Sequence, residues 1–513
     1  MKIGLLATLV LVGIWSFSSP PGSSPDESFH IGNSWCAFGE TQTCQISNFS
    51  TDYYPLWAEV PYSVDECLIP NDSTTTPCDE EQVPRTQLVP IDSSNLYPSV
   101  YYKYANLVLR FGPEIGIPLL RFMNGVIAVL LFGIVLHVSR GQARLAIATM
   151  LLATLVPLGL FIIASVNPSS WSITGTSLSG VTLMMIRNSG LRSPNSRSLL
   201  VLCFLLSMVL SSSRYDSICY SIAICVLVLA FERKSRPSIR SSYFFPSLAL
   251  IILILYFSRR LLSYVSQNLI DMFSHEEFFV FTRYWVIHFL EIPFTSIGLN
   301  YGLHGPTGFV TPPIVGHIQF GFLVIALACS MFESSLRQRV FFLIILLILF
   351  VLILQQVSTD RETGFYMVQG RYFLPFLAGG LGVTLMLSVS RNQLMLQDSI
   401  AQIVIFLVSI AHALTLFVFV RRYSEGFDLD YAYTEIDSPR NFALPAGWRL
   451  TQYVSPTFLI IAGGLAYYIF VVSLFAFANA KNSQRLVLDS RVQSIRKYFS
   501  RYIQRSGSPR QFD

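Results

Sequence analysis

The sequence predicts an all-α fold: a polytopic transmembrane helical bundle of about 12 spans with a disulfide-containing external loop domain. Three observations carry this. Of 513 residues, 52% are hydrophobic and only 13% charged, against about 25% charged in soluble domains. The mean hydropathy is +0.53. Apolar runs of span-like length recur along most of the chain, and four of the eight cysteines crowd into one polar segment.

Residues 1–17 are apolar after Lys2. The run is short and signal-like, but no small-x-small cleavage site follows it, so it reads as an uncleaved first span. Residues 18–112 form an external Cys-rich loop. Residues 113–478 form the multi-span domain. Its apolar runs fall at 115–137, 145–166, 170–187, 198–212, 216–231, 242–257, 313–331, 339–356, 372–389, 397–419 and 456–478, with external loops 258–312, 357–370 and 420–455. Residues 479–513 are a basic tail. Basic clusters at Arg140 and Arg144, at Arg187, Arg192 and Arg197, at Arg233, Lys234, Arg236 and Arg240, and at Arg337 and Arg339 fall on the side of that tail. The positive-inside rule then gives a multi-pass cell-membrane protein with both termini cytoplasmic. Nothing resembles a nucleic-acid module.

Cys36, Cys44, Cys67 and Cys78 lie in the external loop, as expected of disulfides in an oxidising compartment. Zinc is disfavoured by the lack of a C-x-x-C pair. Three pairings exist; the expected one joins nearest neighbours, Cys36 with Cys44 and Cys67 with Cys78. Cys203, Cys219, Cys225 and Cys329 read as small buried hydrophobes.

The stretch Ser24-Pro25-Asp26-Glu27-Ser28-Phe29-His30 offers the most chemistry. In a helix, Asp26 and His30 stand one above the other, a carboxylate and an imidazole suited to proton transfer at a membrane surface. The competing reading is a capping box, with Ser24 as N-cap, Pro25 first and Glu27 third. Arg371 opens a span where a lipid phosphate would lie, and its planar fork suits phosphate, or else it anchors the helix at the interface. Lys103, Tyr101 and Tyr102 belong to an aromatic cluster before the second span that suits either an interfacial belt or a sugar site. His304 reads as a turn residue or a weaker binding candidate. Arg214 and Asp216 read as a surface pair. No Walker loop, dinucleotide glycine fingerprint or G-x-S-x-G is present.

Pro25-Asp26-Glu27-x-x-His30, Tyr97-Pro98-x-x-Tyr101-Tyr102, Asn167-Pro168-Ser169-Ser170 and Gln369-x-Arg371-Tyr372-x-x-Pro375 occur in this order. With them the chain resembles the bacterial membrane family catalogued as domain of unknown function twenty-one forty-two, from residue 24 to about 390. More broadly, a first span, an external loop opening with acids, and many further spans resemble the GT-C membrane glycosyltransferases. That resemblance implies a polyprenyl-phosphate-linked sugar as donor, an envelope glycan or lipid as acceptor, and membrane lipids as surroundings. It implies Asp26 as the base; on the residues themselves, Glu27 and His30 would support it and Arg371, with Gln369, would meet the substrate. A divalent metal could sit among Asp26, Glu27 and His30, although the chemistry does not require one. The rival readings are a transporter or flippase of a lipid-linked glycan, and a glycan polymerase or ligase. The spans read as nearly free of mid-span charge, which favours surface chemistry over transport.

The topology is testable directly. Cysteines engineered near Asp72 and near Glu435 should be labelled in intact cells, and one near Ser506 should not; labelling at Ser506 would overturn the orientation.

Overall fold

The computed structural model describes residues 2–19, 21–39, 44–47, 56–60, 87–91, 97–139, 142–187, 194–231, 312–332, 339–349, 370–389, 398–425 and 454–478. A helix occupies each predicted apolar run that falls among them. These are α1 (Lys2–Phe17), then, after α2 (Glu27–Trp35) and α3 (Ser99–Leu109), α4 (Pro113–Val138), α5 (Gln142–Thr154), α6 (Pro157–Ile163), α7 (Pro168–Arg187), α8 (Pro194–Ser211) and α9 (Tyr215–Phe231). α10 (Pro313–Phe332), α11 (Arg339–Leu349), α12 (Leu374–Val389), α13 (Asp398–Glu425) and α14 (Pro456–Ala478) follow. The 242–257 run lies outside the described residues. Among the described residues three helices are long and apolar enough to cross a membrane, four if the bent α5–α6 pair counts as one; six more are apolar but shorter. Outward-facing Leu202, Leu205 and Val209 on α8, and Ile403 and Phe406 on α13, give these helices an apolar exterior suited to lipid.

The 145–166 run is two helices, not one. α5 and α6 meet at 92°. Pro157 removes a backbone donor and turns Val156 extended, so the helix stops although the apolar sequence continues. α6 is thereby laid across the bundle, and the residues after it reach the end where the α1–α2 connection lies.

α7 is the central packing element. It contacts α8, α9 and α12, and its Ser, Thr and Gly residues are almost all buried. A Cβ on Gly175 would come within 2.5 Å of Ser207 O and Ser211 N, so α8 approaches along a seam only small residues permit. Ser221 Oγ donates to Ser211 Oγ at 2.7 Å, and Thr176 donates to Ser217 O at 3.3 Å.

The far end of the bundle is closed by Arg144, which is 3% exposed. It donates to Leu136 O at 3.1 Å, Ser139 O at 2.6 Å and Phe477 O at 3.2 Å, and lies 3.8 Å over the Phe477 ring. A cation at helix C-termini satisfies carbonyls that lack intrahelical partners.

The segment between α1 and α3 corrects the all-α expectation. β1 (Gln45–Ser47), β2 (Leu56–Val60) and β3 (Gln87–Ile91) form an antiparallel sheet in that order. Ala58, Val60, Val89 and Ile91 face inward while Glu59 and Leu88 face out, the period-two pattern of a one-sided sheet. Pro90 is tolerated because β3 is an edge strand. α2 lies on the sheet, with Gly32 directly against Val89. Cys36 and Cys44 form a disulfide, S–S 2.04 Å, joining the end of α2 to β1. Cys67 and Cys78 lie outside the described residues.

The disulfide closes a short loop, worth about 2–3 kcal/mol by loop entropy. Peptide mapping of unreduced protein should find Cys36 linked to Cys44. Cys36→Ser with Cys44→Ser should lower the unfolding midpoint while leaving the bundle folded; free thiols at both positions would contradict the pairing.

Candidate functional site

The site forms at the end of the bundle where α1 ends, α2 and α7 begin, α8 turns into α9, and α12 begins. Its foundation is a buried ion pair. Glu27 and Arg121 are 0% and 1% exposed. Arg121 Nε and Nη2 meet Glu27 Oε1 and Oε2 at 2.8 and 2.5 Å, a bidentate fork. Arg121 Nη1 also donates to Ser16 O at 3.3 Å and Ser19 O at 2.7 Å. The carboxylate accepts from Val166 N at 2.8 Å, Gly22 N at 3.1 Å and Ser24 N at 3.3 Å. One carboxylate thus ties α2 to α4, to the α1–α2 connection and to the α6–α7 turn.

Half of the capping box is present. Glu27 reaches back to Ser24 N, and Glu27 N donates to Ser24 O at 3.0 Å. Ser24 Oγ has no partner among the described residues, and the helix begins at Glu27, not at Pro25. The left-handed backbone of Asp26 cannot belong to the helix, and Arg121 holds the Glu27 side chain inward.

Asp26 immediately precedes the helix at φ 58°, ψ 11°. Asp is one of the few residues that visit this left-handed region. It makes no side-chain capping bond, and its side chain is 40% exposed. Of the adjacent acids, Glu27 turns inward and Asp26 outward, into a recess lined by charge and aromatic rings.

In the recess Arg371 Nη2 lies 2.6 Å from Asp26 Oδ2, and the Tyr372 hydroxyl donates to the same oxygen at 3.4 Å. Both residues lie in the 3₁₀ turn Gly370–Tyr372 that leads into α12. Arg371 is only 6% exposed; its Nε is buried and has no partner among the described residues. Arg214, in the α8–α9 turn, pairs with Asp216 through Nε at 3.0 Å and Nη2 at 2.8 Å, and donates to Ser169 Oγ at 3.0 Å. Its guanidinium lies 4.7 Å from the Tyr372 ring centre and 5.4 Å from that of Tyr97. Arg371 lies 5.2 Å from the Tyr372 ring centre, so both cations contact one ring.

His30 stands one helical turn beyond Asp26, its N–H bonded to Asp26 O at 3.0 Å. The imidazole is fully buried, with Nδ1 3.0 Å from the Tyr102 hydroxyl and Nε2 unpartnered among the described residues. Burial pushes its pKa down to about 3, overriding the Asp26 charge, so the ring is neutral. Burial would raise the Asp26 carboxyl, but Arg371 foremost, with Arg214 and the Tyr372 hydroxyl, holds it below the ordinary carboxylate value.

The other nominated residues divide. Tyr102 supports His30. Tyr101 lies deeper, accepting from Asn124 Nδ2 at 3.1 Å, and Asn124 Oδ1 accepts from Trp171 Nε1 at 3.1 Å. Lys103 projects from the exposed side of α3. Gln369 and His304 lie outside the described residues. Glu27 has both oxygens engaged and is not left to share a metal with Asp26 and His30; among the described residues no three His, Cys, Asp or Glu side chains form a metal-holding group. Asn167 donates to Pro25 O at 2.9 Å and accepts from Ser169 N at 2.8 Å, so the Asn-Pro-Ser-Ser turn braces the Asp26 loop.

Sequence reasoning missed two arginines. Arg214 was expected on the surface with Asp216, yet it walls the recess. Arg121 lies inside the 115–137 run, which corrects the reading of the spans as nearly charge-free; a lone arginine in an apolar run was itself the signal.

Removing one partner of a buried pair strands the other charge and costs about 3–5 kcal/mol. Glu27→Gln should therefore lower the yield and the unfolding midpoint of the detergent-solubilised protein severely. Asp26→Asn should cost less, because the side chain is 40% exposed, Asn can still accept from Arg371, and the backbone region is one that Asn tolerates. Equal stability of the two variants would contradict this division of roles.

The four motifs of the chain, Pro25 to His30, Tyr97 to Tyr102, Asn167 to Ser170 and Arg371 to Pro375, supply the walls and braces of this one recess. No curated protein and no solved structure gives a significant match to the chain. A family model does, over residues 9–379. The chain therefore belongs to the family described as predicted membrane protein (DUF2142).

Proposed function

We propose that the protein is a membrane glycosyltransferase of GT-C type. It transfers a sugar from a polyprenyl-phosphate donor to a cell-envelope glycan or lipid on the outer face of the membrane. On this reading the described helices belong to a multi-pass bundle of about 12 spans with both termini cytoplasmic and residues 18–112 outside. The observation that carries the proposal is the Asp26 carboxylate. It is free of capping duty, half exposed, and set against the buried guanidinium of Arg371 at one end of an apolar bundle.

The chemistry follows from these groups. A lipid-linked donor keeps its tail in the bilayer and presents its head group where the helices end. Asp26 accepts the proton of the acceptor hydroxyl as that oxygen bonds to the anomeric carbon. The bond from that carbon to the phosphate oxygen breaks, and polyprenyl phosphate departs with its charge held by Arg371. Arg214, fixed by Asp216 and Ser169, adds positive potential to the recess.

Transport of a lipid-linked glycan is the reading from another class. Arg121 gives it an intramembrane charge, but five backbone groups and Glu27 fix that guanidinium and its partner in place. A polymerase or ligase would use the same recess with a different acceptor.

The test is turnover of a polyprenyl-phosphate sugar by matched amounts of folded variants. Asp26→Asn should slow transfer at least about a hundredfold, the usual scale of general-base loss. Arg371→Lys should also lose activity, because the fork is lost while the charge remains. Near-normal turnover in both variants would sink the mechanism.

A further inference from the structure

The base and the phosphate-holding cation of the proposed reaction are bonded to each other. Arg371 cannot grip a phosphate through Nη2 while Asp26 occupies it at 2.6 Å, and Asp26 is a poor base while that guanidinium holds its proton-accepting oxygen. Three features bear on this conflict. The pairing uses one carboxylate oxygen and one nitrogen, so it is monodentate; Nε, on the same edge of the guanidinium, is buried and unpartnered among the described residues. Asp26 is the exposed member and Arg371 the buried one, 40% against 6%, so Asp26 covers the arginine from the open side. Asp26 has no capping bond to hold its side chain when the pair breaks.

We propose that the Nε–Nη2 edge of Arg371 is a binding site for the phosphate group of a phosphate ester, the phosphodiester of the donor or the monoester it leaves, whose anion displaces Asp26, so that binding of the phosphate releases the carboxylate. Two phosphate oxygens satisfy both nitrogens, where Asp26 satisfies one. Asp26 is then a lid on the site as well as its base, and the phosphate-bearing substrate binds before the acceptor hydroxyl is activated. This deepens the transferase reading and rests on it for the identity of the base. Arg214 does not substitute for Arg371, because its Nε and Nη2 are already paired with Asp216.

The test is binding, measured by titration calorimetry on the full-length protein in nonionic detergent, with farnesyl monophosphate and inorganic phosphate as separate probes. A competitor that occupies a site nine-tenths of the time weakens apparent affinity about tenfold. Asp26→Asn should therefore bind the monoester at least about tenfold more tightly than the parent. Asp26→Gly, suited to the positive φ, should show the same gain and serves if the Asn variant misfolds. Arg371→Lys should bind more weakly, and adding Asp26→Asn to it should restore nothing. The gain with farnesyl monophosphate alone identifies a lipid head group; an equal gain with inorganic phosphate identifies a free-phosphate site. Unchanged or weaker binding in both Asp26 variants overturns the displacement. Tighter binding by the Asp26 variants with no sugar transfer by the parent would retain the displacement and reject the transferase, whereas transfer by the parent with no binding gain in the variants would do the reverse.

Discussion

The ion pair of Glu27 and Arg121 is the constraint on which the rest of this end of the molecule depends. Both groups are out of water, and such a pair holds only when the remaining donors and acceptors are satisfied. Here they are, by Ser16, Ser19, Gly22, Ser24 and Val166. The consequence for Asp26 is geometric. Glu27 must point into the bundle, so its predecessor turns the other way, through a left-handed residue, into the recess. A neighbouring pair of carboxylates is thereby divided into one that holds the chain and one available for chemistry.

The other half of the recess comes from packing around α7. Arg214 and Arg371 are distant in sequence and lie in different turns. They share Tyr372 because α8, α9 and α12 all press against the same small-residue helix. Gly180 of α7 meets Ile224 of α9 and Val383 of α12, and Gly379 of α12 lies against Thr176 O, where a Cβ would stand 2.7 Å away. Larger residues there would push the arginine-bearing turns apart. In lipid, where apolar burial drives helix association weakly, close contact of small residues is the available means of holding such turns in register.

The helices were legible because an apolar run is a strong signal, and α14 coincides with the run read from 456–478. The bend at Pro157 was not, because hydropathy continues through a residue whose effect is on the backbone. The sheet was not, because its strands run three to five residues in polar sequence and one contains Pro90. Asp26 and Arg371 were legible singly, from the chemistry of their types and their place at the ends of apolar runs. Their contact was not, since it spans 345 residues of chain. Glu27 was misweighted for the same reason: its task is set by Arg121, whose distance from it no local pattern encodes.

The charges of the recess are balanced in pairs, Arg214 with Asp216 and Arg371 with Asp26, and this balance bears on reactivity. An incoming phosphate brings excess negative charge into a space of reduced dielectric, where unpaired charge is costly. If it takes Arg371, Asp26 loses its counter-ion and gains an anionic neighbour at the same moment. Both changes raise the proton affinity of the carboxylate. The arrangement that keeps Asp26 weakly basic before a phosphate arrives is then the one that makes it more basic afterwards. No movement larger than that of one side chain is required.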